Sequence, residues 1–88
     1  SINLRKVCTV VTSNPQPVRD FIVNDLHRSA TMEQAEGAYT HDEKWVLTTV
    51  LTRGQAQKLR LHVHGLDDHA FITIVNSSEI VGKGFRSI

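Results

Sequence analysis

The residues best suited to chemistry in this chain fall in two short polar turns that each hold a lysine. Thr40, His41 and Lys44 lie within Thr40-His41-Asp42-Glu43-Lys44, and Lys83 sits between Gly82 and Gly84. A hydroxyl, an imidazole, two ammonium groups and flexible backbone N–H groups suit a small anionic ligand, a phosphate above all. Neither turn is a phosphate loop, which needs a long glycine-rich run closed by Lys-Ser or Lys-Thr. Thr40, His41, Lys44 and Lys83 are therefore the candidate ligand-binding set, and the residues leave any cofactor unknown.

Other chemistry-bearing residues have simpler accounts. His62, His64, Asp67, Asp68 and His69 are close in sequence, but two histidines two positions apart on a helix face different ways and the spacing matches no zinc signature. A polar helix surface and connector explain them, and no metal site is expected. Glu33, Glu36, His41, Asp42 and Glu43 offer acids and bases without a nucleophile, metal or cofactor frame. His27 has no acid partner in view, and its place beside Arg28 near the end of a helix is explained by the helix dipole. Cys8, the only cysteine, sits in Val7-Cys8-Thr9-Val10-Val11 as a small core side chain. It excludes an intrachain disulfide and suits a reducing compartment. No catalytic residue is assigned, and the chain is not read as an enzyme.

Nucleic acid is not an expected partner either. The formal charge is +1, from ten basic and nine acidic residues, and Arg5-Lys6, Lys58, Arg60, Lys83 and Arg86 form no basic stripe. Trp45, Phe71 and Tyr39 have packing roles instead, Tyr39 as a partly buried anchor of a hairpin.

The elements that carry these residues follow from periodicity. Val7 to Thr12 is a nearly continuous β-prone run suited to an interior strand. Ser13-Asn14 then offers a cap to a helix in which Val18, Phe21, Ile22 and Leu26 share one face. Ala30 to Tyr39 reads as a bent or bulged strand near a sheet edge, and Thr40 to Glu43 as a polar hairpin loop. Trp45 to Leu51 is a second apolar strand, with Trp45, Leu47, Thr49 and Leu51 on one side and Val46, Thr48 and Val50 on the other. Thr52-Arg53-Gly54-Gln55 has the pattern of a capping box before a second helix, whose inward face is Ala56, Leu59, Val63 and Leu66 with His62 beside it. Phe71 to Val75 is another central-strand candidate, followed by a capped helical turn from Asn76 and a glycine-rich tail.

These elements imply one α+β domain over residues 1–88, with its core in about 6–85. The order is that of a ferredoxin-like β-α-β-β-α-β sandwich with a short C-terminal helical turn. At this length a chain buries only about 60 to 65 per cent of its unfolded surface. Helices on one face leave the other sheet face partly apolar, so self-association or another protein contact is expected. No apolar run is long enough to cross a membrane and no signal peptide opens the chain.

The order of motifs resembles the soluble carboxy-terminal domain of the YitT-like bacterial membrane proteins, a functionally uncharacterised family. The marks are Ser13-Asn14, Glu36-Gly37-Ala38-Tyr39-Thr40, Asp68-His69-Ala70-Phe71 and Ser78-Glu79-Ile80-Val81-Gly82-Lys83-Gly84-Phe85. Where the family usually has a glycine this chain has Ala35, and where it commonly has Gly-Lys this chain has His41-Asp42. Both departures take backbone freedom or positive charge from the hairpin. The resemblance implies a cytoplasmic domain cut from a larger protein of the bacterial cell membrane, sensing a small molecule or controlling the membrane region. Its shape is also similar to small regulatory domains of the ACT and PII type. The reading is a non-catalytic regulatory or sensing domain; the alternative is a domain for oligomerisation or docking without a ligand.

Overall fold

Two amphipathic helical stretches flank a central hairpin, and that alternation sets the order of elements. The computed structural model describes residues 5–66 and 69–80. Strand β1 (Arg5–Thr12) leads to helix α1 (Pro15–Asp20), which continues through a π-helical turn over Phe21–Asp25. Strands β2 (Thr31–Glu36) and β3 (Glu43–Leu51) form the hairpin, followed by α2 (Arg53–His64) and β4 (Phe71–Ser77). All pairings are antiparallel, in the order β2-β3-β1-β4. The expected α+β class and β-α-β-β-α-β order are found.

Strand alternation divides the sheet into two unlike faces. Cys8 and Val10 of β1 and Leu47 and Leu51 of β3 are buried on the helix side. They meet Val18, Ile22 and Leu26 from the first helix and Ala56, Leu59 and Val63 from α2 in one core. Two threonines are buried with them, and each has a partner, as buried hydroxyls require. Thr49 Oγ1 donates to the Ser29 carbonyl at 2.7 Å, and Thr12 Oγ1 accepts the Asn14 N–H at 3.0 Å.

That second bond changes the expected helix start. Asn14 is the N-cap of α1, but neither its side chain nor that of Ser13 caps the helix; Thr12 organises the turn. The far end widens, with the Leu26 N–H on the Phe21 carbonyl and the Arg28 N–H on the Ile22 carbonyl, both at 3.0 Å. A wider turn holds residues four apart more nearly in line, which suits Val18, Ile22 and Leu26 on one buried stripe. His27 closes the helix at φ 57°, the left-handed position usually given to glycine or asparagine. Arg28 does more than face a helix end: its Nε donates to the Val50 carbonyl at 3.3 Å, on the outer side of β3 beyond the start of β2.

The capping box before α2 forms as expected. The Thr52 N–H donates to Gln55 Oε1 at 2.9 Å and the Gln55 N–H to Thr52 Oγ1 at 3.2 Å. Gln55 Nε2 also donates to the Leu26 carbonyl at 3.2 Å, fastening the two helices end to start.

Four expectations need correction. β2 ends at Glu36 instead of running to Tyr39, and its pairing with β3 is regular, without a bulge. Tyr39 is 95% exposed at the hairpin tip and anchors nothing within the described chain. β4 is an edge strand, because the crossover through α2 places it beyond β1. Asn76 and Ser77 belong to that strand, so no helical turn starts there; the tail from residue 81 onward lies outside the described residues.

Burial also settles the character of Cys8. Its side chain is fully buried, and desolvation pushes the thiol pKa up despite the lowering influence of Lys6. A neutral thiol packs like a small apolar group; a thiolate there is disfavoured. The raised pKa favours the folded state fully below the ordinary thiol value of about 8.5, and that stabilisation is lost as pH rises towards the folded value. Alkylation of Cys8 by iodoacetamide should therefore track global unfolding, and rapid labelling of the folded chain would contradict this. For the capping box, Thr52→Ala should lower stability by about 0.5–2 kcal/mol in a urea titration. Gln55→Ala should match or exceed that loss, because it also severs the bond to Leu26.

Candidate functional site

The β2–β3 hairpin brings two of the four candidate residues together. The Gly37 N–H donates to the Asp42 carbonyl and the His41 N–H to the Gly37 carbonyl, both at 2.8 Å. His41 takes the left-handed conformation at φ 63° to close this loop. Thr40 Oγ1 accepts the Asp42 N–H at 3.3 Å and lies 3.1 Å from where a Cβ on Gly37 would stand. A side chain at Gly37 would thus press on the hydroxyl that shapes the turn.

Electrostatics here follow from register. Glu36 and Glu43 are direct cross-strand partners, and like charges so placed repel. Each carboxylate has its own relief: His41 Nδ1 lies 2.5 Å from Glu36 Oε2, and Gln34 Nε2 donates to Glu43 Oε2 at 2.9 Å. His41 and Glu36 are 74% and 65% exposed, so their attraction is screened by water and adds little to stability. An open depression of about 420 Å3 is lined by Gln34, Ala35, Glu36, His41 and Glu43.

Lys44 is directed elsewhere, its Nζ donating to Ser13 Oγ at 3.1 Å between β3 and the loop after β1. Thr40 and His41 are therefore neighbours, Lys44 stands apart from the depression, and Lys83 lies outside the described residues. Cross-strand opposition of the two glutamates was hidden in the sequence, because it depends on the turn spanning Gly37 to Asp42.

The histidines of α2 have structural partners. His62 stacks on Phe21 with ring centroids 4.3 Å apart and planes 7° from parallel. Its Nε2 donates to the Pro17 carbonyl at 3.2 Å, joining α2 to α1. His64 and His69 are exposed, and Asp67 and Asp68 lie outside the described residues. Among the described residues no three His, Cys, Asp or Glu side chains converge in a metal-ligating group.

A larger feature lies on the sheet face opposite the helices. Register places Val7 and Val11 of β1, Val46 and Val50 of β3, and Phe71 and Val75 of β4 on this face, interspersed with Thr9, Thr48 and Thr73. Phe71 and Val75 are 55% and 53% exposed, and the four valines are half-buried by one another. An antiparallel sheet with one solvated face normally alternates apolar and polar residues. Here both faces of the three adjoining strands are apolar. No described helix is long and apolar enough to cross a membrane.

Comparison with known proteins places this chain among proteins of bacteria. Residues 28–82 match the family described as "Uncharacterized protein conserved in bacteria (DUF2179)". The chain is 32% identical over 81 residues to an "Uncharacterized protein in cccA 5'region" of Bacillus sp. (strain PS3), covering 92% of this chain and 54% of that protein. It is 30% identical over 84 residues to the UPF0750 membrane protein YvjA of Bacillus subtilis (strain 168), covering 96% of this chain and 30% of that protein. The chain thus spans about half the length of one relative and less than a third of the other. A crystal structure of a DUF2179 protein from Eubacterium ventriosum superposes with a TM-score of 0.63 at 25% identity, over 81% of this chain and 97% of that one. Matching sequence, matching fold and shared domain extent agree: the chain belongs to the DUF2179 family, whose domain it shares with the UPF0750 membrane proteins YvjA and YitT of Bacillus subtilis.

Proposed function

We propose that this domain is a non-catalytic regulatory module of a bacterial membrane protein that acts through protein contact on the cytoplasmic side. Its open sheet face docks against the membrane region of the same polypeptide. The observation that carries this reading is the apolar face formed by Val7, Val11, Val46, Val50, Phe71 and Val75. Apolar surface of this kind gains about 25 cal/mol for each Å2 removed from water, so a contiguous patch favours being covered. Relatives named as membrane proteins, of which the chain spans less than a third, support the presence of an adjoining region to dock against. Strand order and one-sided helices are those of ferredoxin-like sandwiches, the architecture of ACT- and PII-type regulatory domains; that support is analogy of fold.

Site-directed labelling tests the contact, and the buried Cys8 leaves a low background. Thr48→Cys should react readily with a maleimide in the 88-residue chain and more than about tenfold more slowly in the full-length membrane protein. Tyr39→Cys at the hairpin tip should react equally in both. Adding Val46→Lys should restore labelling at position 48. Equal rates at position 48 in the two contexts would end the docking reading.

A second reading, small-ligand sensing at the hairpin, is favoured by the depression that His41 lines, with Thr40 next to it in the chain. An anionic ligand would draw on His41 once released from Glu36 and on Lys44 once released from Ser13; Lys83 is the remaining candidate donor. Titration with inorganic phosphate and nucleotides should then give saturable NMR shifts at Thr40 and His41, weakened by Lys44→Ala or Lys83→Ala. Unmoved hairpin resonances at millimolar ligand would remove this reading.

A further inference from the structure

β4 has the sequence of an interior strand and the position of an edge strand. Phe71-Ile72-Thr73-Ile74-Val75-Asn76-Ser77 carries no charge and no proline, whereas exposed edges are normally guarded by charges, prolines or bulges. β2 at the opposite edge is guarded in that way, with Glu33 and Glu36 exposed along it. Among the described residues no strand pairs with the outer side of β4. Phe71 and Val75 on the open face and Ile74 on the helix side of this strand are 55%, 53% and 37% exposed.

Hydrogen bonds elsewhere fix which backbone groups point outward. The Val50 carbonyl faces away from β1, because Arg28 reaches it from the outer side of β3. In an antiparallel ladder this makes Val7↔Val50 a non-hydrogen-bonded pair, so Val7 directs its N–H and C=O towards β4. The hairpin agrees: stepping by two from the Gly37–Asp42 bond through Ala35↔Lys44 to Thr31↔Thr48 gives the same alternation along β3. Phe71, Thr73 and Val75 therefore bond β1, while Ile72, Ile74 and Asn76 present their backbone groups outward.

We propose that the outer edge of β4 pairs antiparallel with the same edge of a second copy of this chain, centred on Ile74, so that two chains share one continuous sheet. The occupant follows from symmetry. A twofold axis through an edge turns a strand antiparallel to itself, and centring on Ile74 aligns outward groups with outward groups. Ile74 then faces its own copy and Ile72 faces Asn76 of the second copy, with up to about six ladder hydrogen bonds. On the open face Thr73 lies beside Val75 and Phe71 beside Ser77. Without charges on β4, the pairing sets no like charges together; the same operation on β2 would crowd its glutamates. Lys6, the β1 partner of Asn76, already donates to Asn76 Oδ1.

This edge is distinct from the open face, and one experiment separates them. Sedimentation equilibrium of the 88-residue chain from micromolar to millimolar concentration should show a reversible dimer. Ile74→Pro removes an N–H that the β1–β4 ladder does not use, and Ile74→Lys adds a guarding charge; each should weaken the dimer more than about tenfold. Unchanged circular dichroism would show that each remains folded, and the lysine variant decides the matter if proline distorts β4. Hydrogen exchange should show the Ile72, Ile74 and Asn76 amides protected in the dimer and released on dilution. Val46→Lys on the open face should leave the dimer intact. A wild-type chain that stays monomeric at millimolar concentration would overturn the proposal. So would a dimer that survives Ile74→Lys but dissociates with Val46→Lys, a result that would move self-association to the open face.

Discussion

Two short helices can cover only one face of a four-stranded sheet, and the rest of this structure follows from that constraint. Among the described residues, every fully buried apolar side chain lies in the single layer between the sheet and α1, the π turn and α2. The polar contacts support that layer. Thr52 and Gln55 start α2, Gln55 reaches the Leu26 carbonyl, and His62 holds α2 to α1 through Phe21 and Pro17. These bonds fasten the helices to each other at both ends, where the short apolar stripe alone would leave them free to slide. A small domain gains much of its order from such fixed geometry, because its core is thin.

What the helices leave uncovered is sorted with equal regularity. Threonines separate the valines on the open face, keeping apolar shape and β propensity while placing hydroxyls at the surface. Charge is concentrated at the hairpin, where Glu36 and Glu43 stand opposite each other and His41 and Gln34 each attend one of them. β2 is thereby an edge that repels another strand. β4 has none of these devices, so the two edges of one sheet have opposite tendencies to associate.

Much of this was legible in sequence because local rules and tertiary structure agree. Strict alternation in Trp45 to Leu51 gave both faces of β3 correctly, and Thr52 to Gln55 announced a capping box that forms. The failures share a cause. An apolar run such as Phe71 to Val75 satisfies an interior strand and an exposed edge equally well, and only the crossover through α2 decides between them. Tyr39 looked like an anchor because tyrosine prefers partial burial, but the turn carries it away from the sheet. His62 read only as a polar residue beside the inward face of α2; its role depends on Phe21 and Pro17, distant in the chain. Asn14 had the right chemistry for a cap, but Thr12 is already placed by β1 to take the Asn14 N–H. At the hairpin, the residue types offered His41 and Lys44 as donors to an anion, while register sets Glu36 and Glu43 directly opposite each other, a juxtaposition that the one-dimensional pattern did not show.

Attachment to a membrane region changes what weak surfaces can accomplish. An edge strand of this length offers few hydrogen bonds and modest apolar area, and in dilute solution the entropy of bringing two chains together opposes it. Tethering raises the effective concentration to the millimolar range for short linkers, so a contact too weak to persist between free chains can dominate between chains held in one complex. The same reasoning would apply to the open face if it docks as proposed, because a partner on the same polypeptide is never diluted away. A domain with one covered face, one apolar face and one unguarded edge is thus better matched to reporting its own surroundings than to capturing a freely diffusing partner.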